Sequence, residues 1–166
     1  GTTLEALTAL YSVFANDGKF IKPSITSNDL QPVKKEIISA EATYIVNEML
    51  SKMNRPDFPI NWQATEHMPK IAWKTGTSYG RRDGWSIGYN KNYTIGVWTG
   101  NFSGQGTPGL SGAEIATPLL FKIFNTLDYQ NDGDWFQMPD DLEVRQVCSV
   151  TGKVPGILCE NLVTDY

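Results

Sequence analysis

What most constrains this chain is a set of three strand-like runs in its middle, residues 70–77, 85–90 and 93–99. Each is rich in β-branched and aromatic side chains, which suit a pleated, half-buried surface. Asn90-Lys91-Asn92 reads as a hairpin turn between the second and third runs, and the polar stretch 79–82 joins the first two. The three runs therefore predict an antiparallel sheet. Helical patterns flank it. Thr2-Thr3-Leu4-Glu5 reads as a capping box, after which Leu4, Leu7, Tyr11 and Phe14 form one stripe. Asn16-Asp17-Gly18 ends that helix, with Gly18 suited to the left-handed C′ position. A short extended stretch, 19–25, is interrupted by Pro23. A second helix is expected from near Ser39, where Ala42, Ile45, Val46, Met49, Leu50 and Met53 recur at helical spacing. Ser111-Gly112-Ala113-Glu114 is another capping box and opens a helix to about Leu127, with Pro118 predicting a kink or a start one turn later. The expected fold class is α+β, an antiparallel sheet covered by helices 3–16 and 112–127.

Between these elements, residues 54–69 hold three prolines and no periodicity, so a long surface loop is expected, and 101–112 is a Gly/Ser/Pro-rich loop. From Asp128 the chain turns to Asp, Asn, Gly and Pro until Leu142. The predicted organisation is one domain over 1–128, then a linker and short strand-like module over 129–166. Net charge of −4 argues against a sequence-independent nucleic-acid binder, which needs clustered Lys and Arg. No apolar run approaches the roughly 18 residues of a membrane span. The chain opens on Gly1 and not Met, so a processed or excised origin is expected. Cys148 and Cys159 bracket Gly152, Pro155 and Gly156. A disulfide across a turn-rich loop and a pair of unpaired thiols are equally compatible with cysteine counting. A single histidine, His67, excludes a His-rich metal cluster, and the two cysteines lack the tight pairing of a zinc site. Neither metal nor cofactor is expected.

The stretch that carries chemistry is Lys74-Thr75-Gly76-Thr77-Ser78, at the end of an apolar strand. Taken alone it is weak evidence, since a strand often ends in a polar turn. Its context is more specific: Asp83-Gly84-Trp85 follows the turn, Val97-Trp98-Thr99-Gly100-Asn101 closes the third strand, and a capped helix comes next.

In that order these motifs resemble the transpeptidase domain of class A penicillin-binding proteins, most closely their 1C subgroup. The run KTGTSYGRRDGWSIGYNKNYTIGVWTGN matches the family sequence of Lys-Thr-Gly-Thr, Asp-x-Trp, Gly-Tyr and Val-Trp-x-Gly-Asn. TLEALTALYSVFANDGKFIKP is similar to the helix before that strand, and SGAEIATPLLFKIF to the closing helix with its embedded proline. VRQVCSVTGKVPGILC resembles the opening of the carboxy-terminal module of the 1C type, both cysteines included.

The resemblance implies a serine acyltransferase that cross-links peptidoglycan stem peptides and is acylated by β-lactams. It implies part of the fold shared by penicillin-binding proteins and serine β-lactamases. Lys74 would supply a cation for the substrate carboxylate and for the proton network of the catalytic serines. Thr75, Thr77 and Ser78 would line the substrate, and Gly76 would let its backbone lie against the strand. The Thr77 N–H would be half of an oxyanion hole. A periplasmic location, on the outer face of an inner membrane that anchors the parent, would favour a Cys148–Cys159 disulfide. Departures from the family matter as much. Its nucleophile lies in Ser-x-x-Lys and its second serine in Ser-x-Asn, and no serine here has Lys three residues on or Asn two residues on. The isolated chain is expected to be half an active site, inactive by itself, with exposed apolar surface that favours self-association. Two other readings share the Lys-Thr-Gly strand: a non-catalytic sensor or binding module, and a protein related to serine β-lactamases. Arg81, Arg82 and Asp83 are expected to be a solvated turn, Trp85 and Trp98 sheet packing, and His67 has no assigned role.

Overall fold

The structure, a computed structural model, describes residues 1–26, 34–53, 55, 69–129 and 134–166. Most of the predicted loop 54–69, His67 included, lies outside the described residues. Two compact units divide the chain, Gly1–Phe136 and Gln137–Tyr166.

The first unit runs α1 (Leu4–Ala15), β1 (Lys19–Ile21), β2 (Lys34–Glu36), α2 (Ala40–Ser51), β3 (Ala72–Thr77), β4 (Asp83–Tyr89) and β5 (Thr94–Gly100), then a π-helical turn (Gly112–Ala116) and α3 (Thr117–Leu127). β1 and β2 form a separate antiparallel pair. The main sheet has the order β3-β4-β5, antiparallel throughout, with Lys74 opposite Ile87 and Gly76 opposite Trp85. Asn90 makes the β4–β5 turn close: its side-chain oxygen accepts from the N–H groups of Asn92 and Tyr93, both at 2.9 Å.

Alternate residues of a strand face opposite sides, and here the two sides have different covers. One side presents Tyr89, against which Tyr11 and Phe14 of α1 pack with ring centroids 6.3 and 5.9 Å away. The other presents Trp73 and Val97, packed with Ile71, Ala116, Leu120, Phe121 and Phe124 in one buried cluster. The sheet is therefore sandwiched between α1 with α2 and the π turn with α3.

Helix boundaries show where packing corrects pattern. The α1 N-cap is Thr3, whose hydroxyl accepts from the Ala6 N–H at 3.1 Å, not Thr2 as the capping box predicts. Leu4 and Thr8 of this helix lie over Gly96, where a side chain would meet the Thr8 hydroxyl. At the other end Asp17 takes the left-handed C′ position (φ 51°) that the sequence assigns to Gly18. Gly18, at C″ with φ 81°, donates to the Val13 carbonyl at 2.9 Å, closing a Schellman motif. A Cβ on Gly18 would lie inside the Ile38 carbonyl oxygen, so glycine is required twice over.

In α2, Ser39 caps as predicted, accepting from Ala42 at 3.3 Å. Its most buried residues are nonetheless Thr43, Asn47 and Ser51, while Met49 of the predicted apolar stripe is 65% exposed. The reason is Asn47, which bridges to α1 and β4: Tyr89 Oη donates to its Oδ1 at 2.7 Å, and its Nδ2 donates to the Phe14 carbonyl at 3.2 Å.

Within the second unit, β6 (Arg145–Cys148) pairs with β7 (Leu162–Asp165) in antiparallel register. A disulfide joins Cys148 to Cys159, whose Cα atoms are 5.9 Å apart. No helix among the described residues is long and apolar enough to cross a membrane.

Candidate active-site strand

The candidate site is built on β3, which has β4 on one side and, among the described residues, no strand partner on the other. In an antiparallel ladder, residues whose N–H and C=O bond to the neighbour alternate with residues whose groups point away. Two contacts set the phase here. Ser78 N–H donates to the Asp83 carbonyl at 2.9 Å, on the β4 side. Lys74 Nζ reaches the Thr75 carbonyl at 2.9 Å, on the open side. The main-chain groups of Thr75 and Thr77 thus face the unpaired edge. A ligand laid along that edge would find an N–H from Thr77 and a cation from Lys74.

Side-chain alternation separates the motif. Lys74 and Gly76 share a face with Trp85 and Trp98, whereas Thr75 and Thr77 project to the α3 side. There the Thr77 hydroxyl oxygen accepts from the Gly112 N–H at 3.0 Å, leaving its proton free to donate. That contact depends on Gly112. A Cβ would stand 2.4 Å from the Gly76 carbonyl oxygen and 2.5 Å from that of Trp85, both backbone atoms. The capping-box reading of Ser111-Gly112-Ala113-Glu114 shows none of this. It holds as a cap, with Ser111 Oγ accepting from Glu114 at 3.4 Å, but the first turn is π-helical and the α-helix begins at Thr117. Pro118 explains the change of winding, because its missing N–H belongs in a first turn.

The Ser78 Oγ accepts from the Asp83 N–H at 2.9 Å, closing the β3–β4 turn. Within that turn Gly80 and Arg81 both have left-handed backbone, φ 74° and 52°. Sequence reading treats Arg81, Arg82 and Asp83 alike as solvated charge. Asp83 stands apart: its carboxylate accepts from Trp98 Nε1 at 2.9 Å. That indole N–H, with Ser78 behind it, holds the Asp83 carboxyl below the usual carboxylate range. A partner 15 residues away on the neighbouring strand leaves no local signal. Trp98 is in turn flanked by Trp85 and Phe102, with ring centroids 6.4 and 5.4 Å away.

A family model described as the penicillin-binding protein transpeptidase domain matches residues 1–115. The chain belongs to the penicillin-binding protein transpeptidase family. Penicillin-binding protein 1C of Escherichia coli (strain K12) is 36% identical over 127 residues, covering 76% of this chain and 16% of that protein. Penicillin-binding protein 1A/1B of Bacillus subtilis (strain 168) is 25% identical over 169 residues, 86% of this chain and 18% of that protein. The chain therefore spans less than a fifth of either relative. Among solved structures, penicillin-binding protein 1A from Haemophilus influenzae superposes with a TM-score of 0.71 at 16% identity, over 95% of this chain and 31% of that one. PonA1 from Mycobacterium tuberculosis in complex with penicillin V does so at 0.56 and 19% identity, over 90% of this chain and 43% of that one. These superpositions establish the fold: a penicillin-binding-protein transpeptidase sheet, antiparallel and flanked by helices.

Proposed function

We propose that this chain is the Lys-Thr-Gly wall of a serine-type D,D-transpeptidase, which cross-links peptidoglycan stem peptides and is acylated by β-lactams. The observation that carries the reading is the open edge of β3, where Lys74 Nζ and the outward main-chain groups of Thr75 and Thr77 lie side by side. Stem peptides and β-lactams both present a carboxylate and an acyl carbonyl. Lys74 binds the carboxylate in exchange for its present contact with the Thr75 carbonyl. The Thr77 N–H receives the carbonyl oxygen as negative charge develops on it, where a fixed donor favours the transition state over the ground state. The Thr75 and Thr77 side chains project to the α3 side, with the Thr77 hydroxyl proton available to a ligand at the edge. The acylating serine and its lysine belong to another part of a longer polypeptide, since this chain contains no Ser-x-x-Lys. Such a protein works on the outer side of the bacterial inner membrane, in the compartment that also favours the Cys148–Cys159 bridge.

A fluorescent penicillin tests this. The isolated chain should take no covalent label, and the full-length polypeptide should be labelled. Lys74→Ala in the full-length protein should slow acylation on the order of 100-fold, as loss of an electrostatic donor does. Its thermal stability should not change, because the Lys74 side chain is exposed. Labelling of the isolated chain, or unchanged acylation of Lys74→Ala, overturns the assignment.

A further inference from the structure

We propose that Asp83 and Trp98 are a positioning pair for the end of the Lys-Thr-Gly strand, fixing the direction of the Thr77 N–H. The inference rests on the reading of Thr77 as an acyl-oxygen donor and adds the residues that hold it.

Thr77 is the last residue of β3, and its orientation is set by the turn that follows. That turn is not relaxed. Arg81 has a left-handed backbone without being glycine, a state that persists only where the surroundings over-determine it. Arg81 N–H donates to the Ser78 carbonyl at 3.0 Å across the turn, and four further hydrogen bonds hold it. Ser78 and Asp83 exchange two, Ser78 N–H to the Asp83 carbonyl and Asp83 N–H to Ser78 Oγ, both 2.9 Å. Thr107 N–H donates to the Arg81 carbonyl at 3.0 Å. The fourth, Trp98 Nε1 to the Asp83 carboxylate at 2.9 Å, joins two side chains and ties the turn to β5.

The anchor end of this bond is the indole. Trp98 has Trp85 on one side and the exposed Phe102 ring on the other. Trp85 in turn lies opposite Gly76 in the ladder. Through the indole, the turn is therefore tied to β5. An ionised acceptor makes this bond stronger than one between neutral groups, and an aspartate carboxyl is ionised at neutral pH. On the α3 side, the Gly112 N–H holds the Thr77 hydroxyl. Thr77 is thus clamped from both directions while its N–H remains open.

The test is pre-steady-state acylation of the full-length protein by benzylpenicillin, resolving the limiting acylation rate from the dissociation constant of the pre-covalent complex. Trp98→Phe keeps a ring between Trp85 and Phe102 but removes the donor, and Asp83→Ala removes the acceptor. Each should lower the limiting rate about ten-fold, less than outright loss of an oxyanion donor, with the dissociation constant within about two-fold. Asp83→Asn retains a side-chain oxygen and should recover most of the rate. A purely stabilising clip would lower the unfolding temperature without this split. Should Asp83→Ala fail to fold, Trp98→Phe decides alone. The proposal is overturned by a wild-type limiting rate in Trp98→Phe, by a loss carried equally in the dissociation constant, or by no recovery in Asp83→Asn. A wild-type protein that benzylpenicillin does not acylate would instead remove the transpeptidase reading itself.

Discussion

Replacing Tyr89 by Phe tests the polar bridge that joins three elements behind the site. Tyr89 is fully buried, and its hydroxyl donates to Asn47 Oδ1 at 2.7 Å. The Asn47 Nδ2 satisfies the Phe14 carbonyl at 3.2 Å. Gly18 N–H, the ordinary helical donor for that carbonyl, is taken by Val13. Removing the hydroxyl keeps the ring that stacks on Phe14, so little cavity forms and the change isolates the hydrogen bond. A buried acceptor stripped of its donor costs about 1–3 kcal/mol, so Tyr89→Phe should destabilise by about 2 kcal/mol. At roughly 2–4 °C per kcal/mol for a chain of this size, Tm should fall by about 4–8 °C. Urea unfolding at neutral pH, followed by tryptophan fluorescence, measures the first quantity and calorimetry the second. Asn47→Ala should cost more, because it orphans both the Tyr89 hydroxyl and the Phe14 carbonyl. The double variant should then cost less than the sum of the singles by about 1 kcal/mol, as residues sharing one network do. A Tyr89→Phe loss below about 0.5 kcal/mol, or strict additivity, would refute the bridge as an energetic link.

Burial, and next the neighbouring Tyr11, raise the Tyr89 phenol well above its ordinary value. Its contribution is therefore intact below about pH 10 and falls as pH rises beyond that, because the unfolded tyrosine gives up its proton first. Alkaline unfolding should be less steep in Tyr89→Phe; identical profiles would contradict the assignment. In protein recovered from an oxidising compartment, mass spectrometry without reductant should find Cys148 and Cys159 bonded. Replacing both by serine should cost the second unit about 3 kcal/mol, the value for a loop of this length, read as lost amide protection in β6 and β7. Two free thiols in the native protein would oppose this. The isolated chain should self-associate, because apolar residues such as Met49 (65% exposed) and Leu10 (49% exposed) stand open on α2 and α1. Light scattering from a compact monomer that binds no hydrophobic dye would exclude it.

The sheet itself was legible without coordinates. Residues 70–77, 85–90 and 93–99 became β3, β4 and β5 with ends moved by no more than two residues, because strand propensity and a hairpin turn act locally. The Ser39 and Ser111 caps were legible for the same reason, since a hydroxyl and an N–H three residues on meet by helix geometry alone. Order of motifs carried the family, and with it the candidate residues of β3. What the linear order of residues does not contain is which of them share a face and what lies across from them. Tertiary packing seated Leu4 and Thr8 of α1 over Gly96. It also turned the buried side of α2 to Thr43, Asn47 and Ser51, because a satisfied hydrogen bond to Tyr89 outweighs the exposure of one methionine. It singled out Asp83 from two arginines by bringing Trp98 of the neighbouring strand to it, and it made Gly112 irreplaceable by placing it against two backbone oxygens. Local rules decide which backbone forms; long-range contacts decide which side chain of that backbone has a partner, and so what the strand edge can do.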